Sequence, residues 1–286
     1  MRNWCIAAAL VPVLAFAQAE GGGLLWSISG NGLSRPNYVL GTVHSRDARA
    51  YEHATSLLPY LQSQDALAGE LDLADGAMAS GMMMKAMVLP PGKDLADLMS
   101  KHKYKKVKTA VAHDLGPMAI IALRLKPFYL MALLGETAMR SDSAEVLDQY
   151  LQRQARLMGK EVVGLEKPEE QLATVEDLPL KQQADMLYDL VRNDLYRKDM
   201  ERMLDAYAKE DLAGLTRIAA IGGLPKEFSD RLIDDRNATM ALRMDSLMQN
   251  GRSWFFAIGA AHLPEPVGVL ERLRRMGYRV EGVRLE

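Results

Sequence analysis

Two histidines share the same short motif and the same position relative to a predicted strand. His44 closes the sequence GTVH at 41–44, His262 closes GAAH at 259–262, and each motif ends an apolar stretch. Ligands gather at the carboxyl ends of strands in α/β sheets, and a glycine just before the turn lets the backbone pass close to a bound group. A neutral imidazole nitrogen is suited to Zn, Mn, Fe or Co. The paired GxxH motifs therefore predict one metal site built from two distant parts of the chain.

Two glutamates occupy matching places in other predicted strands. Glu70 lies within or at the end of ALAGELDL at 66–73, and Glu166 ends EVVGLE at 161–166. A carboxylate in an apolar strand is costly to bury unless it is paired or binds a metal. Two histidines and two glutamates form a mixed nitrogen and oxygen ligand set with room for water. We therefore predict that one divalent ion, Mn, Co or Zn, is bound by His44, Glu70, Glu166 and His262. A role as general base is the alternative for either glutamate.

Further polar residues near these motifs are candidates for supporting roles. Asp47 follows His44 by three residues and is a candidate to orient its ring. Arg236 lies in a predicted helix, where it could face the site and hold a carboxylate or an oxyanion. The alternative for Arg236 is an ion pair with Asp234 or Asp235, which do not share its helix face. The alternative for the whole set is that the histidines are ordinary core or surface residues and the glutamates are edge residues.

The composition excludes one class of function, and the N-terminus predicts where the protein is located. Lys and Arg number 35 and Asp and Glu number 37, so the formal charge of −2 excludes a strongly basic nucleic-acid binder. A basic start, an uncharged apolar run at 4–16 and the sequence AQA at 17–19 predict a signal peptide cleaved after Ala19. The expected location is periplasmic or secreted. The only cysteine, Cys5, would be removed with the signal peptide, and no later segment is apolar enough to predict a stable membrane span.

Strands and helices alternate along the remaining sequence. Predicted strands lie at 24–29, 38–43, 66–73, 161–166, 254–259 and 278–285, and the first two are joined as a hairpin. Helical patterns cover 145–158, much of 169–217, 228–248 and 267–276. This order predicts an α/β fold, a mixed sheet with helices packed around it. We expect one domain over 20–286, with a helical insertion at about 76–140.

Two segments of that insertion carry unusual compositions. A methionine cluster has three possible roles: it binds copper(I) through its thioethers, it forms a flexible apolar wall for a peptide or acyl substrate, or it serves ordinary helix packing. Its members are Met78, Met82, Met83, Met84 and Met87. The basic run at 101–108 is either a solvated helix face or a contact for an anionic membrane or polymer.

Several of these stretches together resemble the TraB/GumN family. The resemblance rests on LLWSIS and YVLGTVH near the start, ALAGELDL, the segment VLDQYLQRQARLMGKEVVGLEKPEEQL in the middle, DDRNATMA, and FFAIGAAHL with GYRVEGV near the end. That family is related to the Tiki metalloproteases and more distantly to erythromycin-esterase-like and haem-binding ChaN-like folds. The paired GxxH blocks with an intervening glutamate are the most specific part of the resemblance.

The resemblance implies roles for individual positions. His44 and His262 match the two GxxH histidines as metal ligands, and Glu70 and Glu166 match acidic residues of the site. The catalytic candidates are Glu70, Glu166, Arg236 and Asn237, and a DxYL-like element matches Asp148 and Tyr150. The implied function is an exported metal-dependent hydrolase of the metallopeptidase type, acting on a peptide or other acyl substrate. The alternatives are a metal or haem binding protein on the same fold and an interaction module with a vestigial site.

Overall fold

The computed structural model describes residues 23–74, 81–192, 194–221, 226–264 and 266–285. The predicted signal peptide with Cys5, together with Met78, lies outside these ranges, and so do the side chains of Met82 and Met83. The strands are β1 (Leu25–Gly30), β2 (Asn37–Thr42), β3 (Ala66–Gly69), β4 (Glu161–Gly164), β5 (Trp254–Gly259) and β6 (Tyr278–Val283). The mixed α/β fold predicted from the sequence is confirmed.

The strands form one six-stranded mixed sheet in the order β4-β3-β5-β2-β1-β6. The predicted hairpin is present, because β1 pairs antiparallel with β2, and β1 also pairs antiparallel with β6. The four strands β4, β3, β5 and β2 are mutually parallel. Their carboxyl ends therefore lie along the same edge of the sheet, where ligands bind in open α/β sheets.

Burial explains the character of these strands. Every residue of β3 is buried, as are the first five residues of β5. Both strands therefore have continuous apolar sequences, without the alternation of apolar and polar residues that marks a strand exposed on one face. The edge strand β4 is short and partly exposed. The strand predicted at 66–73 ends early, at Gly69, because the chain turns away once the polar Glu70 is reached.

Helices surround the sheet. In chain order they are α1 (Ala54–Ser63), α2 (Gly81–Met87), α3 (Lys101–Leu115), α4 (Ala119–Ala122), α5 (Pro127–Ala138), α6 (Leu147–Leu157), α7 (Pro168–Glu176), α8 (Leu180–Arg192), α9 (Leu195–Ala208), α10 (Leu212–Ile221), α11 (Lys226–Ser229), α12 (Arg236–Gln249) and α13 (Val269–Arg275). Short 3-10 turns lie at Ala48–Tyr51, Leu95–Leu98, Gly116–Met118 and Ala260–His262. In α6 the buried Leu147, Leu151 and Ala155 are spaced four residues apart and face the sheet.

The helix predicted at 228–248 is interrupted. A π-helix covers Asp230–Asp235, between α11 and α12. Single π turns inside α-helices are rare, and the apolar pattern over the whole segment therefore predicts one α-helix. The π turn ends immediately before Arg236, and it therefore sets the rotation with which α12 begins.

The buried apolar residues form two clusters. One contains the sheet with α1, α6, α12 and α13. The other contains no strand residue and is built from α3, α4, α5, α8 and the start of α9, with Val107, Val111, Leu130, Leu134, Ala184 and Leu187 among its members. The helical insertion predicted at 76–140 supplies most of this second cluster, but the prediction did not include α8. Among the described residues, no helix combines the length and the apolar character needed to cross a membrane.

Candidate functional site

Four of the predicted site residues follow the carboxyl ends of the four parallel strands. Glu166 follows β4, Glu70 follows β3, His262 follows β5 and His44 follows β2. The pairing of β3 with β4 continues past both strands, since the Glu166 amide donates to the Glu70 carbonyl at 2.8 Å. Strand register thus places the two glutamates side by side, and the parallel pairing of β2 with β5 brings the two GxxH motifs to the same edge of the sheet.

Arg236 joins the two glutamate side chains. Its Nε donates to Glu166 Oε1 at 2.9 Å, and its Nη2 donates to Glu166 Oε2 at 2.6 Å and to Glu70 Oε2 at 2.7 Å. Gln171 on α7 also donates to both carboxylates, at 3.0 Å to Glu166 and 3.4 Å to Glu70. The planar guanidinium therefore bridges two neighbouring carboxylates and offsets the repulsion between them.

The electrostatics of Arg236 agree with this placement. Burial opposes its charged form, but hydrogen bonds to Glu166 and the charge of Glu70 outweigh it and raise the pKa of Arg236. The alternative pairing considered for Arg236 does not occur, because Asp234 pairs with Arg272. Arg236 holds the carboxylates of Glu70 and Glu166, and its contacts cross from α12 to the ends of β3 and β4.

His262 is held in one tautomer by Asn237. The Asn237 side-chain nitrogen donates to the Val267 carbonyl at 3.1 Å, which leaves its oxygen to accept from His262 Nδ1 at 2.7 Å. With Nδ1 protonated, Nε2 carries the lone pair, and it lies 3.7 Å from Glu70 Oε1. Burial lowers the pKa of His262, so its ring is kept neutral. Asn237 acts on the ring of His262, which makes it a positioning residue.

His44 has a comparable partner on α6. Its Nδ1 lies 3.5 Å from Asp148 Oδ2, while the other oxygen of Asp148 accepts from the Thr42 hydroxyl at 2.6 Å. Asp148 Oδ2 is buried and has no hydrogen-bond donor in the described part of the chain. The adjacent carboxylate raises the pKa of His44, whose side chain is 64% exposed. Both GxxH histidines thus turn Nδ1 toward a fixed oxygen and leave Nε2 for a ligand, as metal-binding histidines do.

Two residues singled out from the sequence have other partners. Asp47 does not orient His44; it is buried, accepts from Arg49 at 2.8 Å, and this pair lowers the pKa of Asp47 to about 2. Its position near the motif reflects its role as the N-cap of the following 3-10 turn. Tyr150, on α6, packs edge to face on Tyr51, with ring centroids 5.6 Å apart, and so contributes to packing rather than to the site.

Glycines before the site residues allow close approach of the backbone. The Gly259 amide donates to Glu70 Oε1 at 2.6 Å, and a Cβ at position 259 would lie 2.9 Å from that oxygen. A Cβ at Gly41 would lie 2.7 Å from the Leu263 side chain. The glycine of each GxxH motif is therefore required by space, since neither has a positive φ.

Replacing Gly259 with alanine is expected to destabilise the fold by about 1–3 kcal/mol, because the new methyl group must displace the Glu70 carboxylate or the strand end. Urea unfolding followed by circular dichroism measures this loss. Gly135→Ala is the matched control, since Gly135 lies inside α5 and its nearest neighbour would be 3.9 Å away. That control is expected to be neutral or stabilising by up to about 1 kcal/mol. Equal effects of the two substitutions would contradict the close approach at Gly259.

The residues fit a divalent ion in part. His262 and Glu70 present a neutral imidazole nitrogen and a carboxylate oxygen to each other with no hydrogen bond between them, which is the chemistry of a ligand pair. In the described ranges, no three His, Cys, Asp or Glu side chains converge closely enough to hold an ion. Both oxygens of Glu166 are bonded to Arg236, whereas Glu70 bonds to Arg236 through Oε2 and accepts from the Gly259 amide through Oε1, the oxygen that faces His262.

Sequence reasoning missed two groups at this edge. Gln171 bridges both carboxylates, yet it stands in a charged helical segment without a motif of its own. The Gly259 amide is a backbone donor and leaves no side-chain signal. The sequence did carry a hint for Gln171, because it follows Glu166 by five residues, close enough for the first turns of α7 to bring it back to the strand end.

The chain is similar to proteins of known name over nearly its whole length. Metalloprotease TIKI2 of Danio rerio is 25% identical over 323 aligned positions, which cover 93% of this chain and 62% of that protein. Metalloprotease TIKI1 of Homo sapiens is 24% identical, with 92% and 62% covered, and the metalloprotease TIKI homolog of Nematostella vectensis is 23% identical, with 88% and 65% covered. The chain therefore spans a little under two thirds of the length of these relatives. No solved structure matches it.

The family resemblance seen in the sequence is confirmed by a family model. The model of the TraB/PrgY/gumN family matches residues 24–282, which include both GxxH motifs, both glutamates and Arg236. This span begins at β1 and ends in β6, so the match covers all but the last residue of the sheet and everything between its first and last strands. The chain belongs to the TraB/PrgY/gumN family.

Proposed function

We propose that this protein is an exported metal-dependent hydrolase that cleaves a peptide or other acyl bond. One observation carries the proposal: both GxxH histidines have Nδ1 turned to a fixed oxygen, Asn237 for His262 and Asp148 for His44, at the edge where two carboxylates meet. Similarity to proteins named metalloproteases supports the same reaction class. The proposal includes cleavage of the signal peptide after Ala19 and a single domain over 20–286.

We propose His262 and Glu70, whose Nε2 and Oε1 atoms lie 3.7 Å apart, as the first two ligands of the divalent ion. His44, at the same edge of the sheet, would complete the set once its exposed side chain turns toward them. The ion would be Mn, Co or Zn, and when bound it would polarise a carbonyl and favour ionisation of water near neutral pH. Asn237 and Asp148 orient the two rings. Glu166, predicted from the sequence as a fourth ligand, is assigned a different part because Arg236 binds both of its oxygens and because it lines the neighbouring cleft, whereas Glu70 faces His262.

Glu166 is proposed as the general base. It forms part of the wall of a cleft of about 370 Å³ that lies between α7, the π-helix and α12, whereas Glu70 does not line that cleft. Glu166 Oε1 receives one donor, the Arg236 Nε, and so keeps a lone pair for a proton. Arg236 keeps the carboxylate in place while it accepts that proton. The substrate is proposed to bind in this cleft, with its scissile carbonyl toward the strand ends.

Removing either histidine should release metal. We expect His262→Ala and His44→Ala to lower the affinity for Mn²⁺, Co²⁺ or Zn²⁺ by at least about tenfold, since each loses a ligand. Elemental analysis of protein purified without added metal, followed by titration, measures the change. His102→Ala is the control, because His102 is exposed on α3. Equal metal content in all four proteins would contradict the proposal, and tight haem binding without cleavage of a peptide pool would favour the non-catalytic alternative.

A further inference from the structure

A basic and apolar surface lies on α3 and on the turns that follow it. We call it the α3–α4 surface, and its members are Lys101, Lys105, Lys108, Met118, Ile120 and Ile121. Residues 101–126 contain seven Lys and Arg and one Asp, a formal charge of +6 in a chain whose total is −2. The rest of the sequence is therefore strongly acidic, and the positive charge is concentrated in one short segment.

The apolar part of this surface is exposed and lies within four consecutive residues. Ile120 is 80% exposed, Ile121 64% and Met118 58%. The four-residue α4 is fixed by the buried Ala119 and Ala122, which pack into the second cluster and leave the isoleucines pointing outward. Single exposed apolar side chains are ordinary, but three within four residues form a patch of the kind that marks a contact surface.

The basic part consists of lysines that the fold itself does not use. Lys101, Lys105 and Lys108 are spaced by four and three residues, so they share one face of α3, opposite the buried Val107. Within the described ranges none of these three is paired with a carboxylate. Lys103, on another face of the helix, is paired with Asp185 at 2.6 Å. Charge on the exposed face is therefore left available for a partner.

We propose that the α3–α4 surface docks onto an anionic lipid bilayer. Apolar side chains that enter the interface, next to lysines that bind lipid phosphates, are the combination that holds peripheral proteins on membranes. A soluble polyanion would use the lysines and leave the isoleucines exposed. A second copy of the chain would bring two strongly positive segments together, which like-charge repulsion opposes. The bilayer is the partner that uses both halves of the surface.

The proposal does not depend on the hydrolase site, because none of its residues belongs to the strand ends or to the cleft. Each lysine near an anionic surface is worth about fivefold in affinity. The double variant Lys105→Gln, Lys108→Gln is therefore expected to bind anionic vesicles about 30-fold more weakly than the wild type. The double variant Ile120→Ser, Ile121→Ser is expected to bind anionic vesicles at least about tenfold more weakly, because two apolar side chains that would enter the bilayer are removed.

Co-sedimentation of the full chain with vesicles tests this directly. The wild type should bind vesicles of phosphatidylcholine mixed with phosphatidylglycerol, bind pure phosphatidylcholine much less, and lose binding as salt is raised. Any contribution of the apolar N-terminal segment is common to all variants and to both vesicles. Leu242→Ser, Lys209→Gln is the matched control, since both residues are exposed away from this surface, and it should bind as the wild type does.

Three outcomes would overturn the proposal. Equal binding to both kinds of vesicle would remove the role of charge. Loss of binding only in the lysine variant, with the isoleucine variant unchanged, would assign the surface to a soluble polyanion. A dimer in analytical ultracentrifugation that Ile120→Ser, Ile121→Ser dissociates, without vesicle binding by the wild type, would assign it to self-association.

Discussion

Glu166→Gln is expected to lower turnover by about 10²–10⁴-fold while the protein keeps its metal. Glutamine preserves the shape of the side chain and can still accept from Arg236 through its oxygen, but it cannot take a proton. The assay follows cleavage of a mixed peptide pool by mass spectrometry with Mn²⁺, Co²⁺ or Zn²⁺ supplied, and metal content is measured on the same samples. The separation of the two readouts identifies Glu166 as base rather than ligand.

Glu161→Gln is the control for that variant. Glu161 begins β4, the strand that Glu166 follows, and it pairs with Arg252 at the opposite end of the strand. We expect the Glu161 variant to retain both metal and turnover. If metal and activity fall together in Glu166→Gln, then Glu166 is a ligand and the assignment of the base is wrong. Unchanged turnover in Glu166→Gln would remove Glu166 from the chemistry altogether.

Much of the sheet could be predicted because its strands have strong local signals. The apolar run of β5 and the turn residues between β1 and β2 define those elements without reference to the rest of the chain. The arrival of the two GxxH motifs at one edge of the sheet also follows from the sequence, since each motif ends a strand and parallel strands end together. That prediction was possible because the same GxxH motif follows an apolar strand twice in the sequence. Composition alone would not have indicated it.

The rest of the site depends on long-range contacts that leave no local pattern. Asp148 meets His44 because α6 begins beside the end of β2, where the Thr42 hydroxyl donates to Asp148. Nothing near His44 in the sequence indicates this contact, and Asp47, which is closer in sequence, is held by Arg49. The π turn before α12 determines where Arg236 points, and apolar spacing does not reveal it. The sequence therefore predicts which residues come to the edge of the sheet more reliably than it predicts their partners.

Arg236→Met is expected to destabilise the protein by about 3–5 kcal/mol, the cost of leaving a buried ion pair without one partner. Methionine keeps most of the apolar length of the side chain but leaves the Glu70 and Glu166 carboxylates adjacent with no guanidinium between them. Urea unfolding at neutral pH measures the loss. Arg231→Met is the matched control, because its pair with Asp177 is more than half exposed and is worth at most about 1 kcal/mol.

A double variant separates the charge effect from lost packing. In Arg236→Met the two carboxylates face each other with no cation between them, and Glu166→Gln removes one of the two charges while nearly preserving the shape of the side chain. Adding Glu166→Gln to Arg236→Met should therefore restore part of the stability lost at neutral pH. If Glu166→Gln does not reduce the deficit of Arg236→Met, the loss comes from packing, and the guanidinium is not what stabilises the paired carboxylates.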